Sequence, residues 1–366
     1  MMMKCSILLP VVFCTALFQS AYADSEIVLS CAQQYPDDDA ARLKCYDRLA
    51  APPSALTPAV QENTVPDENS QVNPTPAISG AAPTPGPERS YLTKAWNLDD
   101  LSNRDQSKLG RIQPYRQTYL LLLNRTSNPN RQPSSPLIDH NVSAPGDIQA
   151  AEVKFQLSFK ANIGGQRNID FLGIRTFRVW WAYTQQSNWQ AYNFRNSSPY
   201  RETVYEPEFI ATLGTGHESG FKLINFGFVH QSNGRSLPES RGWYRFYLLG
   251  GWEWNDTTSI MLRGWWRVPE NSLKDDNPDI IDYLGRGDLT LRWEPEDKSQ
   301  SVNMLLRNNL HKTNNRGYMQ IDWATPVNVG SAARLHIQMS SGYGESLIDY
   351  NHRQNTIGLG FSFREW

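Results

Sequence analysis

The sequence predicts an all-β chain: a twelve-stranded antiparallel transmembrane β-barrel with a short N-terminal extension. Three observations carry this expectation. From Arg111 onward apolar and polar residues alternate with period two, the signature of strands with one apolar face. The chain holds 12 Trp and 16 Tyr yet is only 39% hydrophobic, too polar for a helical membrane protein but suited to strands that meet lipid on one side. A large soluble β-protein would share that composition. The alternate faces, however, carry Arg175, Arg178, Asn303 and Arg307, too polar for the dry core of a sandwich and acceptable inside a barrel.

The alternation is clearest where Val153, Phe155, Leu157 and Phe159 interleave with Lys154, Gln156 and Ser158. It recurs in Phe177, Val179, Trp181 and Tyr183; in Ile224, Phe226 and Phe228; in Leu289, Leu291 and Trp293; and in Leu335, Ile337 and Met339. With the weaker segments counted, strands are expected over 112–123, 152–162, 174–185, 204–214, 219–231, 241–251, 257–268, 282–294, 300–309, 316–324, 333–341 and 355–363. An even count suits a closed bacterial barrel.

The N-terminal part reads differently. Lys4, an apolar run over 7–18 and Ala21-Tyr22-Ala23 read as a secretory signal peptide, residues 1–23, cleaved before Asp24. The run is too short to span a bilayer as a helix. Cys5 and Cys14 fall in the signal, leaving Cys31 and Cys45, for which one disulfide in an oxidising compartment is the simplest reading. Residues 24–50 are therefore expected to be a small periplasmic disulfide-linked element. Residues 51–90, with Pro74-Thr75-Pro76 and Pro83-Thr84-Pro85-Gly86-Pro87, read as a disordered Pro-rich linker to a barrel domain over 91–366. The net charge of −2, with both signs interspersed, gives no sign of a nucleic-acid partner.

With both ends of the barrel in the periplasm, every odd-to-even connection lies outside the cell. The segments 197–202, 230–240, 275–279 and 342–352, richest in small polar and charged residues, all fall at such connections and should share one rim. Phase sharpens the picture. His230 and Ser232 continue the outward series of Ile224, Phe226 and Phe228, and Tyr244 runs in phase with Phe246 and Leu248. Polar groups on a lipid face are costly and need a reason. On an arbitrary barrel the bland reason, solvation by headgroups, is the commoner one. The chemical reason is a serine nucleophile beside an imidazole that takes its proton, which an i,i+2 pair on one strand face permits.

The segment Phe228-Val229-His230-Gln231-Ser232-Asn233-Gly234-Arg235-Ser236 resembles the active-site motif of the outer-membrane phospholipase A family. Segments 197–203, 276–279 and 341–351 are similar to further family segments, in order along the whole barrel region. The resemblance implies a twelve-stranded barrel of the bacterial outer membrane and a calcium-dependent, dimerising acyl hydrolase of phospholipids and lysophospholipids. It implies Ser232 as nucleophile, His230 as base and Gly234 as oxyanion donor. For Ca2+ it implies Arg235 through its carbonyl, Ser240, Asp276, and Ser197 from a neighbouring subunit. Gln185, a polar residue in phase with the lipid-facing Tyr183, matches a position at the family's dimer contact.

Two positions depart from the family. Tyr244 stands where an asparagine that orients the histidine is expected; its phenol oxygen could accept from the imidazole N–H only with a different geometry. Leu237 stands where an acidic residue is frequent, so a subsidiary calcium site is not expected. Two other readings of the chain are a passive barrel, pore or structural, and a lipopolysaccharide deacylase using the same outward pair.

Overall fold

The computed structural model describes residues 90–98 and 111–363, except 199, 218, 329 and 330, together with Asp38. The expected signal peptide, Cys31 and Cys45 with their expected disulfide, and nearly all of the expected linker lie outside the described residues. The barrel is built from β2 (Tyr119–Thr126), β3 (Ala151–Phe171), β4 (Ile174–Trp189), β5 (Glu202–Gly214), β6 (Gly220–Ser232), β7 (Gly242–Asn255), β8 (Thr258–Arg267), β9 (Gly287–Trp293), β10 (Ser301–Asn308), β11 (Gly317–Pro326), β12 (Ala333–Tyr343) and β13 (Arg353–Phe363). Each strand pairs antiparallel with its sequence neighbour, and β13 pairs with β2 to close the ring. A short β1 (Ile112–Pro114) pairs with β3 just past the end of the β2 pairing.

Three details differ from the expected strands. The first, expected over 112–123, is broken at 115–118 into β1 and β2. The strand expected from 282 begins at Gly287, because residues Ile280–Leu284 form a helical turn, α2, packed under the rim with Ile280 and Leu284 buried. Strand β3 runs on to Phe171, nine residues beyond expectation, where alternation fades into Asn162, Gly164, Gly165 and Gln166 and leaves no amphipathic signal.

The alternation becomes inside and outside. On β6, Leu223, Asn225, Gly227 and Val229 are buried in the lumen, while Phe226 faces outward, 56% exposed. The lumen is packed with compensated charge. Lys154 Nζ meets Glu345 Oε1 at 2.6 Å, Arg116 meets Glu206 at 2.9 Å and Glu208 at 2.6 Å, and Arg245 meets Glu206 at 3.0 Å. Buried charges are tolerable only when paired in this way.

One end of the lumen is stoppered by a six-residue helix, α1 (Tyr91–Trp96), in which Leu92 and Trp96 are buried. Trp96 stands edge-on to Trp180 at 6.2 Å and carries Lys160 Nζ over its face at 3.4 Å. The Leu92 N–H donates to Glu253 Oε1 at 2.6 Å, which satisfies a donor at the helix start. The opposite rim collects the longer connections, at 127–150, 190–201, 233–241, 268–286, 309–316 and 344–352, whereas β3–β4 and β7–β8 turn over two residues each. These loops are tied to one another: Arg201 Nη1 donates to Asp349 at 3.0 Å, Tyr350 Oη to Asp279 at 2.5 Å and Asn351 Nδ2 to the Ser134 carbonyl at 2.9 Å.

Candidate active site at the loop-rich rim

The upper end of β6 places His230 opposite Tyr244 of β7, and Ser232 opposite both Gly242 of β7 and Tyr205 of β5. The intervening residues Val229, Trp243 and Arg245 are buried inside, so the partly exposed His230 and Ser232 and the exposed Tyr244 share the outer face, as phase predicts. Among the described residues no hydrogen bond joins the two side chains of the pair, which is common before a substrate tightens such a site.

Tyr244 does not use its hydroxyl on His230. The two rings lie face to face, centroids 4.2 Å apart at 28°. Nδ1 of His230 is buried and closes no well-aligned hydrogen bond, although the Trp243 backbone makes a weak hydrogen-bonding contact with the ring.

The β6–β7 connection begins with Asn233, which alternation could not single out. Its Oδ1 accepts from the backbone N–H of Arg235 at 3.2 Å and of Arg241 at 3.0 Å, while Nδ2 donates to the Glu239 carbonyl at 2.8 Å and to Glu202 Oε1 at 3.2 Å. One buried amide thus fixes both ends of the loop. Gly234 follows with φ +59°, a left-handed backbone that suits glycine, and a side chain there would meet the Tyr205 ring at 3.0 Å. The Arg235 guanidinium turns to Glu239, with Nε donating at 3.0 Å.

Asp276, from the β8–β9 connection, closes over this loop. Ser240 Oγ donates to its Oδ2 at 2.7 Å, and Asn277 Oδ1 accepts from the Gly242 N–H at 2.9 Å. Gly242 lies between nucleophile candidate and carboxylate: a Cβ there would sit 3.5 Å from Ser232 Cβ and 3.8 Å from Asp276 Oδ2. His140, from the β2–β3 connection, was missed in the sequence. Its Nε2 lies 2.9 Å from Asp276 Oδ1 and its Nδ1 2.7 Å from Asp139 Oδ1, and Ser135 Oγ donates to the Asp276 carbonyl at 2.6 Å. No local pattern marks a histidine whose partner is 136 residues away.

Two predicted residues stand apart from this group. Ser197 lies in the β4–β5 connection, its carbonyl accepting from the Trp189 indole at 2.7 Å. Gln185 is on the outer face of β4, where Tyr183 Oη donates to its Oε1 at 2.9 Å and its Nε2 reaches Ser187 Oγ at 3.4 Å. Leu237 is exposed and adds no oxygen to the loop. Among the described residues no group of three or more His, Cys, Asp or Glu side chains is arranged around a metal. The donors that do converge at Asp276 and Ser240 are oxygens, the set a hard cation takes.

The closed twelve-stranded barrel, with His230 and Ser232 on its outer face at one rim, defines a fold class: the β-barrels that cross bacterial outer membranes. A family model described as phospholipase A1 matches residues 92–363. A putative phospholipase A1 of Neisseria meningitidis serogroup B is 36% identical over 373 residues, covering 96% of this chain and 94% of its own. The phospholipase A1 of Escherichia coli K12 is 34% identical over 256 residues, 68% of this chain and 80% of its own. Among solved structures, the Salmonella typhi outer-membrane phospholipase dimer with bound calcium superposes with a TM-score of 0.59 at 30% identity, covering 71% of this chain and 94% of that one. The chain belongs to the phospholipase A1 family.

Proposed function

We propose that this protein is a calcium-dependent outer-membrane phospholipase that cleaves acyl esters of phospholipids and lysophospholipids, of A1/A2 type, and is activated by dimerisation. The observation that carries the reading is the outward placement of His230 and Ser232 beneath the Asp276 and Ser240 cluster. An acyl ester of an outer-leaflet lipid meets the barrel at that height when the loop-rich rim is extracellular, the side on which long loops lie in such barrels.

In this mechanism Ser232 Oγ bonds to the ester carbonyl carbon as its proton passes to His230 Nε2. The carbonyl π electrons move to oxygen, where the Gly234 backbone N–H donates to the developing charge. As the C–O bond breaks, His230 returns the proton to the leaving alcohol. His230 then deprotonates water, which cleaves the acyl-enzyme and restores Ser232.

The oxygen donors fit calcium. Ser240, Asp276 and the Arg235 carbonyl would hold it, completed by Ser197 of a second copy, and bound calcium would supply positive charge beside the oxyanion. A site shared in this way would make the paired form the calcium-competent one. Gln185 on the outer face of β4 would meet its counterpart there. A pore is disfavoured by the α1 stopper and the paired charges of the lumen.

Fatty-acid release from phosphatidylethanolamine in mixed micelles, with calcium or chelator, tests the proposal. The parent should release fatty acid only with calcium, and Ser232→Ala should lose roughly 10^3-fold or more. Equal release by parent and Ser232→Ala would remove Ser232 as nucleophile, and release from lipopolysaccharide but not phospholipid would reassign the substrate.

A further inference from the structure

A column of rings climbs the lipid face towards the nucleophile. Phe228 lies 4.8 Å from Phe246 and stacks at 14° on Tyr244, centroids 6.1 Å apart, and Tyr244 in turn faces His230 at 4.2 Å. The imidazole is thus pressed by an aromatic face while its buried Nδ1 closes no well-aligned hydrogen bond. The close contact that the structure shows on this ring is therefore the Tyr244 face, beside a weak contact from the Trp243 backbone. The opposed register of His230 and Tyr244 on β6 and β7 makes the contact a property of the strand pairing, not of a mobile loop.

We propose that Tyr244 is a positioning residue that acts through its ring: its face fixes the His230 plane and stabilises the imidazolium that forms when Ser232 gives up its proton. This rests on the Ser232 and His230 reading above. The neutral imidazole gains only dispersion from the stack, whereas the cation is drawn to the negative face of the phenol ring. The contribution therefore grows as the proton arrives, which lowers the barrier to acylation and leaves substrate binding alone. Both rings are only partly exposed, so the attraction is screened less than in bulk water. The hydroxyl has no part in this, which explains how the chain tolerates tyrosine at a position where a shorter, hydrogen-bonding side chain is expected.

The test compares the full-length parent with Tyr244→Phe, Tyr244→Trp, Tyr244→Leu and Ser232→Ala, using dioctanoyl phosphatidylcholine in micelles with calcium, after heat-dependent gel migration has verified the folded barrel. Tyr244→Phe and Tyr244→Trp keep a ring face and should hold kcat within about twofold of the parent; Tyr244→Leu should lose about tenfold in kcat at unchanged KM. Labelling of Ser232 by a fluorophosphonate should slow in parallel for Tyr244→Leu alone. If leucine matches phenylalanine, or phenylalanine falls to the level of leucine, the ring-face role is overturned. Should Tyr244→Leu fail to fold, a large loss of kcat in folded Tyr244→Phe still rejects it, because the hydroxyl would then be the working group. An active Ser232→Ala would instead overturn the nucleophile assignment, a separate outcome.

Discussion

His140 and Asp276 meet at the rim with Nε2 and Oδ1 2.9 Å apart, joining the β2–β3 and β8–β9 connections over the edge of the barrel. The other carboxylate oxygen accepts from Ser240, so the Asp276 carboxylate is oriented from two sides. The rim loops thereby form one unit, and their contacts predict how it responds to change.

Removal of the Asp276 charge should weaken calcium binding most. Asp276→Asn is expected to raise the calcium concentration for half-maximal fatty-acid release more than about tenfold, and His140→Ala, which loosens the carboxylate without removing it, by about tenfold. Calorimetric calcium titration of the purified dimer checks both; parental affinity in Asp276→Asn would take this residue out of the cation site.

Gln185 should matter modestly to association. Tyr183 and Ser187 already bond it within one chain, so a contact with a second copy gains only the difference. Gln185→Leu is expected to weaken the dimer by about 0.6 kcal/mol, near threefold in the dissociation constant. Cross-linking across a detergent-dilution series measures it, and an unchanged monomer fraction would place the dimer contact elsewhere.

The Lys154 and Glu345 pair ties β3 to the β12–β13 connection, and Glu345 also accepts from Tyr318 at 2.8 Å. Lys154→Met leaves a buried carboxylate uncompensated and should cost about 3 kcal/mol, most of which Lys154→Met with Glu345→Gln should restore. Guanidinium unfolding in micelles separates these outcomes, and equal midpoints for the single and double variants would show the pair to be uncoupled.

Acid should loosen the rim through Asp349. Burial alone would raise its carboxyl, but Arg201 and hydrogen bonds from Ser346 and other neighbours hold it below the ordinary 3.8. A group depressed in the folded state contributes stability above its unfolded value and loses it as pH falls through the folded one. Amide exchange in residues 344–352, corrected for intrinsic rates, should therefore stay slow at pH 5 and speed up below pH 3.8. Constant protection down to pH 3 would show that Arg201 does not anchor this loop by charge.

Much of this architecture was legible along the chain because a strand repeats every two residues. Val153 to Phe159, and Ile224 to Phe228 extended through His230 to Ser232, announce both the strands and the side each residue faces, and burial follows that phase from Asn225 to His230. The same rule places Tyr244 outside. What alternation could not carry was any contact set by closure of the ring or folding of the loops. The break at 115–118, the helical turn at Ile280–Leu284 and the run of β3 to Phe171 depend on neighbours far away in sequence. So do Asn233 bonding both ends of its loop and His140 finding Asp276. The stacking of Tyr244 on His230 also belongs there, because only the β6–β7 register decides whether a tyrosine opposite a histidine offers its hydroxyl or its face. Local periodicity fixed which side of the wall His230 and Ser232 occupy; barrel closure fixed what stands beside them.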